Sequence, residues 1–121
     1  EEEVAHGMKI YQYLMDLGAD VEMRAIDAPE TDFKSFEELF SKAVENEKEL
    51  ARVLNELANL ALEEKDQMTY HFLKWFLDEQ VEEIALTSSV LDKIRLVGDN
   101  GNGLFILNEE LGKRKPEEDE N

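Results

Sequence analysis

Proline occurs at only two positions of the 121-residue chain, Pro29 and Pro116. Both lie outside the segments in which apolar residues recur every three or four positions. Because proline breaks the interior of a helix, its absence between these two points allows long, uninterrupted helices. The sequence therefore predicts an all-α fold.

The charge of the chain limits the partners it can bind. With 30 Asp and Glu against 13 Lys and Arg, the formal charge is −17. This balance argues against nucleic acid or an anionic membrane and favours cations or basic partners. The chain has no cysteine, so a metal would have to be bound by carboxylate, imidazole or amide groups. No apolar run reaches the ~18 residues of a membrane span, and the acidic start is unlike a signal peptide, so a soluble, cytoplasmic protein is expected.

The periodicity predicts two helices in the first half of the chain. The first runs from Glu1 to Leu17, and an extended connection follows it from Ala19 to Lys34. The sequence from Ser35 to Glu38 forms a capping box, in which the serine hydroxyl binds an N–H and the glutamate reaches back. A long second helix is expected to start there and to continue to about Lys65.

Two further helices complete the predicted fold. Asp66 can cap a third helix that ends near Gly98 and is antiparallel to the second, because the turn between them is short. Residues 99–103 are predicted to form a loop, and Leu104 to Gly112 a short last helix. The expected organisation is a helical domain over residues 1–112 and a charged, disordered tail over residues 113–121.

Polar side chains interrupt the apolar faces of the two long helices. In the second helix Glu47 breaks an otherwise apolar line of positions 36, 40, 43, 47, 50, 54, 57 and 61. In the third helix Gln80 and Glu83 stand at the centre of the line 73, 76, 80, 83, 87, 91 and 94. These three side chains are therefore expected to point inward.

The first helix brings polar side chains inward as well. Glu3 and His6 are three residues apart, so they share a helix face and could bind one ion together. Burying several carboxylates without compensation is costly, and a cation would offset that cost. The sequence therefore predicts a metal site built from Glu3, His6, Glu47, Gln80 and Glu83. The neighbouring Glu2, Glu79 and Glu82 could hold a further, weaker site. Carboxylates with one imidazole suit iron or manganese, and ligand type alone leaves zinc and calcium open.

Four segments of the chain resemble the bacterial and archaeal non-haem ferritins. They are EEEVAHGMKIYQYL, ENEKEL around Glu47, FLKWFLDEQVEEIA and GDNGNGLFILNEELGKR. The resemblance extends over nearly the whole chain apart from the acidic tail. It implies a ferritin-like four-helix bundle with a short fifth helix, assembled as a homo-oligomer into a hollow cage of twenty-four subunits. It also implies a di-iron centre that oxidises Fe(II) with O2 before storage as ferric mineral.

The resemblance also implies roles for the candidate ligands. Glu3 would bridge the two irons and His6 would bind the first. Glu47 and Glu83 would bind the second, with Gln80 beside the centre. A third iron site would be formed by Glu2, Glu79, Glu82 and Glu83. Bacterioferritins and rubrerythrins carry a second Glu-x-x-His motif where this chain has Gln-Val-Glu-Glu, so the resemblance does not extend to them.

The chain departs from the ferritin pattern at its start. Ferritins have a whole first helix, and the start of the second, before the point that matches Glu1. That helix supplies a glutamate ligand for the first iron and one wall of the bundle. Because the first predicted helix here begins without a cap signal, we expect a truncated ferritin that lacks this helix.

Two other hypotheses compete with the hypothesis that this chain is a ferroxidase. The first is a non-catalytic structural fragment of a ferritin-like bundle that binds metal weakly, because the first iron site lacks a ligand. The second is an acidic bundle that binds calcium or a basic partner, which leaves the inward carboxylates unexplained.

Overall fold

Four α-helices form the framework of the computed structural model, which describes residues 2–113. They are α1 (Glu2–Asp16), α2 (Phe36–Glu63), α3 (Gln67–Val97) and α4 (Gly101–Gly112). Residues 2–113 contain no strand, so the predicted all-α fold is confirmed. Within the same range, no helix is both long and apolar enough to cross a membrane.

The described part of the chain divides into two compact units. Residues 31–108 form one unit, which holds α2 and α3, and residues 2–30 and 109–113 form the other, which holds α1. The predicted boundary between a helical domain and a tail stays a prediction, since Glu1 and residues 114–121 lie outside the described residues.

The serine cap predicted at the start of α2 is present, and the Glu38 carboxylate reaches back one residue further than in a standard capping box. The Ser35 hydroxyl accepts a hydrogen bond from the N–H of Glu38 at 3.1 Å. The Glu38 carboxylate in turn accepts a bond from the N–H of Lys34 at 2.7 Å, one residue before the cap. Two backbone donors at the helix start are therefore satisfied, which fixes the point where α2 begins.

A very tight turn joins α2 to α3. Lys65 adopts a positive φ of 58°, and its N–H binds the carbonyl of Leu62 at 3.0 Å. The N–H of Asp66 binds the carbonyl of Ala61 at 2.8 Å, which completes a Schellman-type helix end. Asp66 then caps α3 directly, accepting the N–H of Thr69 at 3.0 Å. Because the last residue of one helix end is the cap of the next helix, α2 and α3 pack as neighbours.

The core of this unit lies between α2 and α3. Leu54 and Ala58 of α2 pack with Leu73 and Phe76 of α3, and all four are buried. The Phe76 ring makes edge-to-face contacts with Trp75, at a centroid distance of 4.8 Å, and with Phe72, at 5.2 Å. Apolar burial between two helices joined by a tight turn accounts for the stability of the pair.

Three positions in the predicted inward line of α2 are exposed. Phe36, Leu50 and Leu57 are 62%, 41% and 44% exposed, whereas Val44 and Ala58, each one residue along the chain from a predicted position, are buried. The apolar face of α2 is wider than the strip that α3 covers. Periodicity identified the face, and packing against α3 selected the part of it that is buried.

The last helix starts earlier than the sequence suggested. α4 begins at Gly101, although residues 99–103 were expected to form a loop. The Asn100 side-chain oxygen accepts hydrogen bonds from the N–H groups of Asn102 at 3.1 Å and Gly103 at 3.2 Å. The Asn100 backbone carbonyl accepts the N–H of Leu104 at 2.9 Å. This capping holds two glycines in a helical first turn, which their own helix propensity would not favour.

The cap of α3 makes folding stability depend on pH. The Thr69 hydroxyl, and then its backbone N–H, lower the pKa of the Asp66 carboxyl below its ordinary value. A carboxyl whose pKa is lower in the folded chain stabilises it above the unfolded pKa and loses this contribution as pH falls through the folded value. We therefore expect the urea concentration at the unfolding midpoint to decrease as the pH is lowered below about 4.

The control for this prediction is Asp66→Asn, which can still cap the helix but cannot titrate. The urea midpoints of the parent and this variant should differ at neutral pH and converge in acid. A difference that stays constant with pH would contradict the prediction.

Candidate metal centre

Glu47 and Gln80 are the two candidate ligands that the structure brings into direct contact. Gln80, on α3, is 5% exposed and is the one buried polar side chain among residues 2–113. Its amide nitrogen Nε2 donates to the Glu47 carboxylate Oε2 at 2.6 Å and to the Glu47 backbone carbonyl at 2.9 Å. The amide thus holds one carboxylate oxygen of α2 in a fixed place between the two helices.

The surroundings of this contact explain why a buried amide is tolerated there. A buried polar group is costly unless it is hydrogen-bonded, and here the amide donates to both the side chain and the backbone of one residue. Glu47 itself is half-buried. The predicted inward orientation of Glu47 and Gln80 therefore agrees with their position between α2 and α3.

Glu83 follows Gln80 by about one turn of α3, so the two residues lie on the same side of the helix. It is half-buried, between the buried Gln80 and the buried Leu91 of the same line. Its backbone carbonyl accepts a hydrogen bond from the Thr87 hydroxyl at 2.7 Å. Glu83 is therefore in a partly enclosed part of α3, one turn from the Glu47–Gln80 contact.

The residues predicted for a further site are less enclosed. On α3, Glu79 is half-buried and Glu82 is exposed. The role of these two carboxylates in a further site stays a prediction.

The remaining candidates lie on α1, in the other unit. Glu3 is exposed, and Glu2 and His6 are half-buried. Glu3 and His6 are separated by one helical turn within α1, as expected from their spacing. The helix also ends as expected, because Gly18 adopts a φ of +70° and its N–H binds the carbonyl of Met15 at 3.0 Å.

Neither compact unit by itself holds a complete set of metal ligands among residues 2–113. Within residues 2–113, no three His, Asp or Glu side chains come together closely enough to hold a metal ion. The donors present nevertheless suit a hard or borderline cation, since they are carboxylate oxygens, an amide and one imidazole. The metal site predicted from the sequence therefore stays a prediction, and the Glu47–Gln80 contact is the part that has a defined geometry.

Thr87 contributes a hydrogen bond to this region that the sequence pattern did not predict. It lies in the inward line of α3. The structure shows that its hydroxyl binds the backbone of Glu83. A threonine on the inward face of a helix indicates such a bond, because a buried hydroxyl must find a hydrogen-bond partner.

A cleft of about 660 Å³ lies elsewhere in the same unit. It lies where the start of α2 meets the end of α3, and Phe33, Phe36, Ile94 and Arg95 are among the residues that line it. None of the predicted metal ligands lines this cleft.

Comparison with known proteins identifies the family of this chain. A model of the ferritin-like domain matches residues 1–97. A bacterial non-heme ferritin from Staphylococcus aureus (strain MRSA252) is 42% identical over 119 residues, which are 98% of this chain and 72% of that protein.

Solved structures give the same result for the fold. An open-pore ferritin from the hyperthermophilic archaeon Archaeoglobus fulgidus matches with a TM-score of 0.93 and 34% identity, over 94% of this chain and 70% of that one. A humanized archaeal ferritin matches with a TM-score of 0.94 and 32% identity, over 97% and 71% of the two chains. From its sequence and its fold alike, the chain belongs to the ferritin family.

Proposed function

We propose that this protein stores and detoxifies iron, oxidising Fe(II) with O2 at an intra-subunit di-iron centre and keeping the ferric product as mineral inside a cage. The observation that carries the proposal is the contact between the buried Gln80 amide and the half-buried Glu47 carboxylate. Membership of the ferritin family and the names of its relatives, non-heme ferritins, support the same conclusion.

The proposed roles follow the ferritin resemblance residue by residue. Glu3 bridges the two Fe(II) substrates and His6 binds the first. Glu47 and Glu83 bind the second, with Gln80 beside the centre. A third, weaker iron site uses Glu2, Glu79, Glu82 and Glu83.

The chemistry of the side chains fits this use. Carboxylates offset the positive charge of the bound ions, which increases as Fe(II) becomes Fe(III). The Gln80 amide holds Oε2 of Glu47 at 2.6 Å, which limits the orientations that this carboxylate can adopt before iron arrives. The formal charge of −17 draws Fe(II) toward the protein by electrostatic steering.

The proposed cage is a homo-oligomer of twenty-four subunits, with Fe(II) and O2 as the small-molecule partners. Its simplest test is light scattering on the purified chain. A particle far heavier than the 14.0 kDa chain supports assembly, and a particle of about that mass contradicts it.

The two histidines of the chain offer a matched test of the oxidation itself. His6→Ala removes the only imidazole proposed as a ligand, whereas His71→Ala removes an exposed imidazole on α3. We expect a fast ferric absorbance phase after mixing with Fe(II) in air, about 10- to 100-fold slower in His6→Ala and unchanged in His71→Ala. Stopped-flow absorbance over seconds measures all three.

Two outcomes would count against this assignment. If the parent chain oxidises Fe(II) no faster than buffer, it is the non-catalytic fragment of the alternative hypothesis. If both histidine variants retain the parent rate, His6 is not a ligand of the reacting iron.

A further inference from the structure

Thr87 occupies an unusual position on α3. It belongs to the inward line that includes Gln80, Glu83 and Leu91, where an apolar side chain would satisfy packing. Its hydroxyl donates to the carbonyl of Glu83 at 2.7 Å and lies 3.3 Å from the carbonyl of Ile84. The hydroxyl therefore binds the backbone at the residue proposed to bind the second iron.

A hydroxyl bonded in this way changes the local backbone. In a regular helix the Glu83 carbonyl accepts the N–H four residues later, and here it also accepts the Thr87 hydroxyl. A second donor competes for this carbonyl, and back-bonding of this kind often bends a helix. The carbonyl belongs to the peptide group attached to the Cα of Glu83, so the orientation of that peptide group affects the direction in which the Glu83 side chain leaves the helix.

Helix propensity does not explain the threonine. Threonine is a poorer helix former than most residues, and its hydroxyl competes with the regular hydrogen-bond ladder. Valine has nearly the same shape and would fill the same half-buried position without a hydroxyl to satisfy. What threonine adds over valine at this position is the bond to the Glu83 carbonyl.

We propose that Thr87 is a positioning residue, whose hydroxyl fixes the backbone of Glu83 so that its carboxylate is oriented to bind iron. This inference rests on the proposed function, in which Glu83 binds the second Fe(II). Thr87 acts through Glu83 in this proposal, since its hydroxyl donates to the backbone carbonyl of that residue.

Two substitutions separate positioning from packing. Thr87→Val keeps the shape and removes the hydroxyl, and Thr87→Ser keeps the hydroxyl and removes a methyl group. Isothermal titration of the full chain with Fe(II) under anaerobic conditions measures binding without oxidation. We expect Thr87→Val to bind the second ion about 10-fold more weakly, and Thr87→Ser to restore most of the affinity.

The same experiment contains its controls. Ser89→Ala removes an exposed hydroxyl from the same helix and should leave binding unchanged. Thr87→Val should not lower the urea midpoint, because valine suits the half-buried position. In a Glu83→Gln background, Thr87→Val should weaken binding no further, since its effect passes through the Glu83 carboxylate.

The outcomes distinguish this inference from the proposed function. If Glu83→Gln weakens Fe(II) binding and Thr87→Val does not, Thr87 has no positioning role, although the iron site stands. The same conclusion follows if the effects of the two substitutions add fully, or if Thr87→Ser fails to restore binding. If the parent chain binds no Fe(II), the proposed function and the inference that rests on it are both overturned.

Discussion

Replacing Glu47 with alanine is expected to slow the oxidation of Fe(II) by about 100-fold or more, while the helix content of the chain stays the same. The variant removes the carboxylate proposed to bind the second iron and the partner of the Gln80 amide at 2.6 Å. The bond from Gln80 to the backbone carbonyl of residue 47 does not depend on the side chain. The buried amide therefore keeps a partner, and we expect the α2–α3 pair to stay folded.

The matched control for this substitution is Glu45→Ala. Glu45 lies on the same helix, is exposed, and forms only an exposed ion pair with Lys42 at 4.0 Å. Such pairs contribute little to stability. Stopped-flow absorbance should show the parent rate for Glu45→Ala and a loss of the fast phase for Glu47→Ala. Equal rates in the two variants would show that Glu47 has no special role, and circular dichroism would reveal whether any loss arises from unfolding.

The largest expected effect on stability comes from Phe76. This side chain is 5% exposed and makes edge-to-face contacts with Trp75 and Phe72. Phe76→Ala leaves a cavity between α2 and α3, and truncations of this kind destabilise proteins by about 3–5 kcal/mol. Because a whole domain is stable by only about 5–15 kcal/mol, the variant should lose a large part of its free energy of unfolding.

Urea unfolding followed by circular dichroism measures this loss. Phe105→Ala on α4 is the control, since that ring is 66% exposed in the structure of the single chain. We expect a much smaller change in the urea midpoint for Phe105→Ala. If the two variants lose equal stability, the packing around Phe76 is not what holds α2 and α3 together.

The helices of this protein are predictable because their limits are set by local chemistry. Ser35 and Asp66 are cap residues that can be recognised from their neighbours, and the structure shows both capping as expected. Asn100 was missed for a specific reason. The surrounding glycines and asparagines suggest a loop, and only the hydrogen bonds of the Asn100 side chain show that they begin a helix.

The candidate centre was only partly predictable for a different reason. Periodicity places Glu47 and Gln80 on inward faces, but it carries no information about which atoms meet across two helices. The contact between the Gln80 amide and the Glu47 carboxylate depends on how α2 and α3 are aligned along their lengths. The prediction that Leu50 and Leu57 point inward was wrong for the same reason, because a wide apolar face does not specify which strip of it the neighbouring helix covers.

The tight turn at Lys65 and Asp66 fixes chain length as well as direction. Glu47 and Gln80 are separated by 33 residues, and nearly all of those residues are in the two helices that this turn joins. Inserting one residue in either helix between the turn and the contact would rotate one partner by about 100° and shift it by about 1.5 Å. A ferritin that keeps this contact is therefore expected to keep that separation unchanged, whereas residues 17–35 can vary in number without moving Glu47 relative to Gln80. The number of residues between Glu47 and Gln80 therefore sets the relative position of the two side chains, and the proposed centre depends on that number as well as on the side chains themselves.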